Sequence, residues 1–168
     1  MTSYRPLCDF WLLARPKVKY YGAYPAGFLW RAKTLLGDIT NLCHLCSGKV
    51  EGGGFTVDID PTLQPNLVAD CLKVPLEDGH FSAVLCDPPY TTADAQHYNH
   101  KELPNPNQLL REAIRLVRVG GRVGFLHYIC PSPPKNARLV STVAVLVGFN
   151  NRVRLYSVYE KLEGGSRK

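Results

Sequence analysis

Asp87-Pro88-Pro89-Tyr90 is the segment whose residue types and order best fit chemistry. It follows the apolar run Phe81 to Cys86, which reads as a buried strand, so an acid emerges from a strand end into a rigid loop. Proline fixes φ and carries no N–H, which leaves the neighbouring carbonyls free to accept hydrogen bonds from a ligand. A carboxylate and a peptide carbonyl held side by side suit an NH2 group, which has two protons to give. Tyr90 adds a flat face on which a ring can stack. The lone pair of an amine on adenine or cytosine is delocalised into the ring, so the nitrogen is a weak nucleophile. Two acceptors that hold both protons bias it toward tetrahedral geometry and free the lone pair to attack an electrophilic carbon. Asp87 then has to be ionised and positioned rather than strongly basic. An ordinary Asp-Pro-Pro turn is the competing reading.

Four short apolar runs are available to position such a loop: Ile39 to Leu45, Phe55 to Ile59, Leu67 to Ala69 and Phe81 to Cys86. Each is bounded by Gly, Pro, Asp or Asn and reads as a buried strand. Phe28, Leu29, Ala32, Leu35 and Leu36 recur at helical spacing between Pro25 and Gly37, which predicts a helix over 25–36. A second helix is expected from a cap at Asn107 to about Val117, with Arg111, Glu112, Arg115 and Arg118 on its polar face and Gly120-Gly121 ending it. Arg122 to Tyr128 then returns as a strand, and Leu139 to Val147 with Arg152 to Glu160 form a hairpin about residues 148–151. Strands apolar on both faces predict an α/β fold, a mainly parallel sheet ending in an antiparallel hairpin, with ligands beyond the carboxyl ends of the strands. The links are short, roughly eight residues from Leu45 to Phe55 and six from Asp60 to Leu67, whereas parallel neighbours usually need a dozen or more. An extended link of that length reaches roughly 26 Å, enough to return along a short strand. The expected fold therefore has shortened crossovers and a sheet face short of helices, left for the N-terminal segment or a second subunit.

With Asp87-Pro88-Pro89-Tyr90 matching [DNS]-P-P-[YFW] in full, the chain resembles the class I AdoMet-dependent amino-methyltransferases, the group that includes DNA adenine-N6 and cytosine-N4 methyltransferases. A related motif occurs in enzymes that methylate guanine N2 of RNA. The resemblance spans roughly residues 37 to 161. It implies a compact Rossmann-like class I methyltransferase fold, S-adenosyl-L-methionine (AdoMet) as cofactor, and Asp87, Pro88, Pro89 and Tyr90 as the catalytic loop. Three upstream segments follow the family's order. Leu42-Cys43-His44-Leu45-Cys46-Ser47-Gly48 resembles the first cofactor motif, a strand leading into a glycine loop under the methionine, with His44, Cys46, Ser47 and Gly48 as contacts. Here His44 stands where an acid is common, Ser47 replaces a glycine and Val50 replaces the last one, and Gly52 to Gly54 are placed to offset those changes. Phe55 to Asp60 resembles the second motif, in which Asp58, in preference to Asp60, would grip both ribose hydroxyls, since an ionised carboxylate accepts two such bonds. Val68-Ala69-Asp70-Cys71 resembles the third, with Asp70 accepting from the adenine amino group, the Cys71 N–H contacting the ring, and Leu72 or Val74 packing on its face. Thr91, Asp94, Tyr98 and His127-Tyr128 could border a target pocket, with a plain loop and a partly buried histidine as the simpler readings.

The chain has 168 residues, 45% hydrophobic and 20% charged, which fits one globular domain. The expected division is a basic, aromatic-rich segment with a helix over 1–36, the methyltransferase-like domain over 37–161 and a tail over 162–168. No apolar run is long enough to predict a membrane span. Arg5, Asp9, Arg15, Lys17 and Lys19 interrupt what a secretory signal would require, so the expected location is cytoplasmic. Cys43-His44-Leu45-Cys46 is half a zinc site with no second pair to complete it, so reduced, buried thiols at strand ends are expected and no metal.

A net charge of +6 favours polyanionic partners. Before residue 36 the bases Arg5, Arg15, Lys17, Lys19, Arg31 and Lys33 face the single acid Asp9, and Tyr4, Tyr20, Tyr21, Tyr24, Phe28 and Trp30 are interleaved with them. Cations that meet phosphates beside rings that stack on bases make a nucleic-acid surface, with a solvated basic helix as the alternative. The function expected first is methylation of the exocyclic amino group of a nucleic-acid base, adenine N6 in DNA. An RNA base methyltransferase comes second, and a catalytically silent nucleic-acid-binding subunit third. Sequence readout would fall to the N-terminal segment, the 91–106 loop, a second copy in a homodimer, or a separate recognition subunit.

Overall fold

The structure, a computed structural model, describes residues 5–16, 22–97, 102–148 and 152–164. The described residues form strands β1 (Leu7–Leu13), β2 (Leu42–Leu45), β3 (Phe55–Asp58), β4 (Leu67–Val68), β5 (Phe81–Cys86), β6 (Val117–His127), β7 (Ala137–Val147) and β8 (Arg154–Lys161). All eight lie in one sheet in the order β1-β7-β8-β6-β5-β2-β3-β4. Every pairing is parallel except those of β8, which runs antiparallel between β6 and β7. The expected α/β sheet with an antiparallel finish is therefore present. Its turn at residues 149–151 lies outside the described residues, as do Tyr4, Lys17, Lys19, Tyr20, Tyr21, Tyr98 and the last part of the tail.

Helix α1 (Phe28–Leu36) covers one face of the sheet and α3 (Pro106–Leu116) the other, while α2 (Thr92–His97) is a short turn of helix after the Asp-Pro-Pro-Tyr loop. β5 is buried on both sides because it sits between them. Ala83 and Leu85 join Phe28, Ala32 and Leu36 in one core, and Val84 and Cys86 join Leu109, Leu110, Ala113 and Ile114 in the other. Four crossovers lack an α-helix: residues 46–54, residues 59–66 with only a 3-10 turn at Pro61–Leu63, residues 69–80 and residues 128–136.

Two details differ from the sequence expectation. The cap of α3 is Asn105 rather than Asn107: Pro106 occupies the first turn, and Asn105 accepts from Asn107 N at 3.0 Å and Gln108 N at 3.2 Å. Gly120 and Gly121 do not end that helix, which stops at Leu116; both lie within β6. A side chain at Gly121 would stand 2.5 Å from the Ser82 carbonyl, so glycine is needed there for close strand approach. The polar face of α3 is also put to structural use. Arg115 donates to the Leu76 and Val74 carbonyls at 2.7 and 2.8 Å, and Glu112 accepts from Val74 N at 2.8 Å, which pins the link between β4 and β5.

β1 carried no strand expectation. It pairs in parallel with β7, from Leu7 opposite Ser141 to Leu13 opposite Val147, and buries Trp11 and Leu13 on the α1 side. The basic N-terminal segment thus enters the sheet at its edge. Among the described residues no helix is long and apolar enough to cross a membrane, and no cluster of three or more His, Cys, Asp or Glu could hold a metal. All six cysteines are free: Cys43, Cys71 and Cys86 are buried, Cys46 is half-buried, and Cys8 and Cys130 are exposed.

Candidate active site

The parallel strands all direct their carboxyl ends to one side, and antiparallel β8 brings its first residues to the same side. A cavity of about 580 Å³ opens there, within the usual range for small-molecule sites, about 300–1,000 Å³. Cys46, Ser47, Gly48, Asp58 and Asp60 wall the end above β2 and β3. Asp87, Pro88, Pro89 and Tyr90 stand in the middle with Tyr24 and Tyr128, and Arg15, Arg152 and Arg154 wall the other end.

Asp87 continues the alternation of Ala83 and Leu85 past the end of β5, and its backbone N–H donates to the Leu45 carbonyl at 3.4 Å. Its carboxylate accepts a hydrogen bond from the Tyr90 hydroxyl. Burial pushes the carboxyl up to about 6, against the pull of the Tyr90 bond and the charge of nearby Arg154. The Tyr90 ring stands edge-on to His127, centroids 5.2 Å apart, and tilted against Tyr128 at 4.8 Å. Burial lowers the basicity of His127, so a neutral imidazole buttresses Tyr90. Tyr24 stacks on Phe28 at 5.1 Å, and burial followed by the Asp87 charge raises its phenol well above the ordinary value, keeping it a neutral donor. The acid is thus held among three tyrosines.

At the other end β2 finishes at Leu45, and Cys46 and Gly48 adopt left-handed backbone, both with φ of 54°. Asp58 accepts from Gly48 N at 2.9 Å and from Asp60 N at 3.1 Å, so it ties the glycine loop to the end of β3. Asp60 instead spends one oxygen on Thr62, capping the 3-10 turn at 2.9 Å from Thr62 N. Both acids reach the cavity, but only Asp58 organises its floor.

The structure brings Cys46, Ser47, Gly48, Asp58 and the Asp87–Tyr90 loop onto one wall and leaves three expected contacts off it. His44 lies buried under the glycine loop, its Nε2 3.1 Å from the Gly53 carbonyl, and burial drops its imidazole to about 4. A side chain at Gly54, where φ is 115°, would come 3.0 Å from the His44 ring, so this histidine props the loop from beneath. Asp70 is exposed and closes its own turn by accepting from Leu72 N at 2.9 Å, and Cys71 is buried in the core.

Tyr24, Arg152 and Arg154 were not singled out from the sequence for this site. Looking only at carboxyl ends of strands overlooks the two arginines, because β8 is antiparallel and presents its amino end, and it overlooks Tyr24, which stands in the link before α1. Its expected pairing as the second arm of a hairpin was the signal that could have found Arg152 and Arg154.

Among solved structures the chain is similar to TrmN from Thermus thermophilus, with a TM-score of 0.59 and 16% identity over 79% of this chain and 48% of that one. It is similar also to a chain of the complex between the Haloferax volcanii Trm112 methyltransferase activator and a methyltransferase, with a TM-score of 0.57 and 11% identity over 82% of this chain and 90% of that one. The fold is that of the class I methyltransferases. A further likeness within this methyltransferase fold is the Burkholderia thailandensis 1,6-didemethyltoxoflavin-N1-methyltransferase, crystallised with 1,6-didemethyltoxoflavin and S-adenosylhomocysteine. It has a TM-score of 0.54 and 14% identity over 79% of this chain and 77% of that one. No family model matches the sequence, and no curated protein matches it. At these identities the likeness establishes the methyltransferase fold alone, and the chain spans about half the length of TrmN.

Proposed function

We propose that this chain is an AdoMet-dependent methyltransferase that modifies the exocyclic amino group of a nucleic-acid base, adenine N6 in DNA first. One observation carries the reading: the Asp87 carboxylate and the Asp58–Gly48 loop share the wall of a single cavity. The residues present fit the cofactor. Asp58 retains lone pairs beyond its two backbone bonds for a ribose diol. The left-handed turns at Cys46 and Gly48 carry backbone past the cavity floor, where the methionine part would lie.

AdoMet supplies an electrophilic methyl carbon when bound. The chain's own contribution is to hold the amine. Tyr90 occupies one Asp87 oxygen, Oδ1, and the other is left to accept from the NH2 group. The peptide carbonyls of the proline loop are the second acceptor. Tyr24, Tyr90 and Tyr128 supply ring faces for the base and keep water from the carboxylate. A base in a duplex has to be flipped out to reach such a recess.

The test is transfer of tritiated methyl from AdoMet to DNA and, separately, to RNA, followed by nucleoside analysis. Label in N6-methyladenine from DNA is the expected result. Asp87→Ala should abolish it while AdoMet still binds by calorimetry. Undiminished turnover in that variant would end the assignment of Asp87, and label in RNA alone would move the substrate to RNA.

A further inference from the structure

The cavity is electrically polarised. Asp58 and Asp60 stand at the end above β3, and Arg15, Arg152 and Arg154 at the end above β8 and β1. We infer that these three arginines form a phosphate-binding subsite for the nucleotide whose base enters at Asp87. This inference rests on the nucleic-acid reading above and adds the group that anchors the substrate.

Register explains how residues so far apart in sequence meet. Arg154 pairs with Val145 of β7, and both lie on the α1 side of the sheet, the side on which Val145 and Tyr156 are buried. Arg152 continues the same alternation two residues earlier. Leu13 of β1 pairs with Val147 on that side too, and Arg15 continues it two residues later. The end of β1 is locked at this level by Gly148 N donating to the Leu13 carbonyl at 3.0 Å and by Ala26 N donating to the Ala14 carbonyl at 3.1 Å. The Arg15 stem lies beside Gly148, where an added Cβ would be 4.0 Å from its Cγ.

The three therefore converge on the same face and at the same end as Asp87. β8 is two strand spacings from β5, about 10 Å, and β1 is two spacings further out; the nearer distance suits the span from a base amine to the phosphate of its own nucleotide, with Arg15 on its outer side. Arg154 reaches furthest in, its charge acting on Asp87 and Tyr90, while Arg15 and Arg152 are exposed at the rim. Guanidinium groups offer planar forks that match phosphate oxygens bidentately. A free base would leave this end of the cavity unused; a nucleotide extends from the Asp87 wall into it, clear of the Asp58 end.

Binding of a fluorescent oligonucleotide, measured by anisotropy across a KCl series, tests the subsite in the full chain. The variants are Arg15→Ala, Arg152→Ala and the double variant, with Arg118→Ala as a charge-loss control at the opposite end of the sheet. Neutralising one phosphate contact should make the slope of log K against log [KCl] shallower by about 0.7–0.9. The double variant should show at least that change, with a raised KM for the oligonucleotide, and Arg118→Ala should not. Arg15→Lys and Arg152→Lys, which keep the charge, should retain the slope. Adenosine 5′-monophosphate that competes where adenosine does not would assign the subsite to single nucleotides. Competition by oligonucleotides alone would assign it to a strand; either result supports a phosphate site. An unchanged slope in the double variant overturns the inference, as does a parallel loss of AdoMet binding, which would make the arginines holders of the cofactor carboxylate. Neither outcome depends on methyl transfer, so the proposed activity can stand if the subsite fails. If no nucleic acid is methylated, the slopes still decide whether the arginines meet phosphate.

Discussion

The hydroxyl of Tyr90 donates to the carboxylate of Asp87, three positions earlier, across the two prolines that separate them. The bond occupies Oδ1, and it opposes the effect of burial on the acid. In a site that works by accepting amine protons, the carboxylate must be ionised at working pH.

The pH profile should report this directly. With the Asp87 carboxyl at about 6, log(kcat/KM) is expected to fall by about one unit per pH unit below that value. Tyr90→Phe removes a bond that favours the ionised form, so its acidic limb should move to higher pH. A limb that stays in place in this variant would mean that another group controls ionisation.

The same residue should weigh on stability. Its folded pKa lies above the ordinary carboxylate value, so the folded state holds the proton more tightly than the unfolded state does. The stability this contributes is complete in acid below the unfolded value and is lost as pH rises through about 6. Asp87→Asn should therefore melt above the wild type at pH 7, by roughly 2–4 °C for each kcal/mol relieved, with the gap closing toward pH 4. Scanning calorimetry at the two pH values checks both sign and trend.

Asp58→Ala removes the acceptor of the Gly48 N–H, in the loop under the proposed cofactor, and of the Asp60 N–H just past β3. Hydrogen bonds to a charged acceptor contribute about 1.5–3 kcal/mol each. Losing even one should weaken AdoMet binding about tenfold or more. Asp58→Asn, with a single acceptor oxygen, should fall between. Titration calorimetry with equal affinities in all three proteins would refute the role.

Gly124 sits in β6 against the Tyr156 ring. An added Cβ would stand 2.3 Å from the tyrosine hydroxyl oxygen, which itself donates to the Ala32 carbonyl of α1 at 3.2 Å. Gly124→Ala should cost about 1–3 kcal/mol by overpacking. Tyr156→Phe in the same chain should restore part of that loss in urea unfolding.

The central strands were legible because their runs are apolar and sharply bounded, and Asp87 was legible because two prolines isolate it at such a boundary. β1 was not. Asp9 breaks its apolar run, and its partner β7 lies at the other end of the chain, so nothing local marks it as a strand. His44 was misplaced for a different reason. It stands at the expected position on β2, but alternation turns its ring beneath the glycine loop, where the Gly53 carbonyl takes it up. The arginines above β8 depended on strand direction, which is a property of the whole sheet.

Pairing Leu7 with Ser141 closes most of the chain into one loop. Contacts of such long sequence separation form slowly, because the entropy of closure must be overcome before they contribute anything. On the ribosome β1 must therefore wait for this partner until β7 emerges. Only then can Arg15 be held beside Gly148, so the end of the cavity that it walls cannot be complete before β7 is made.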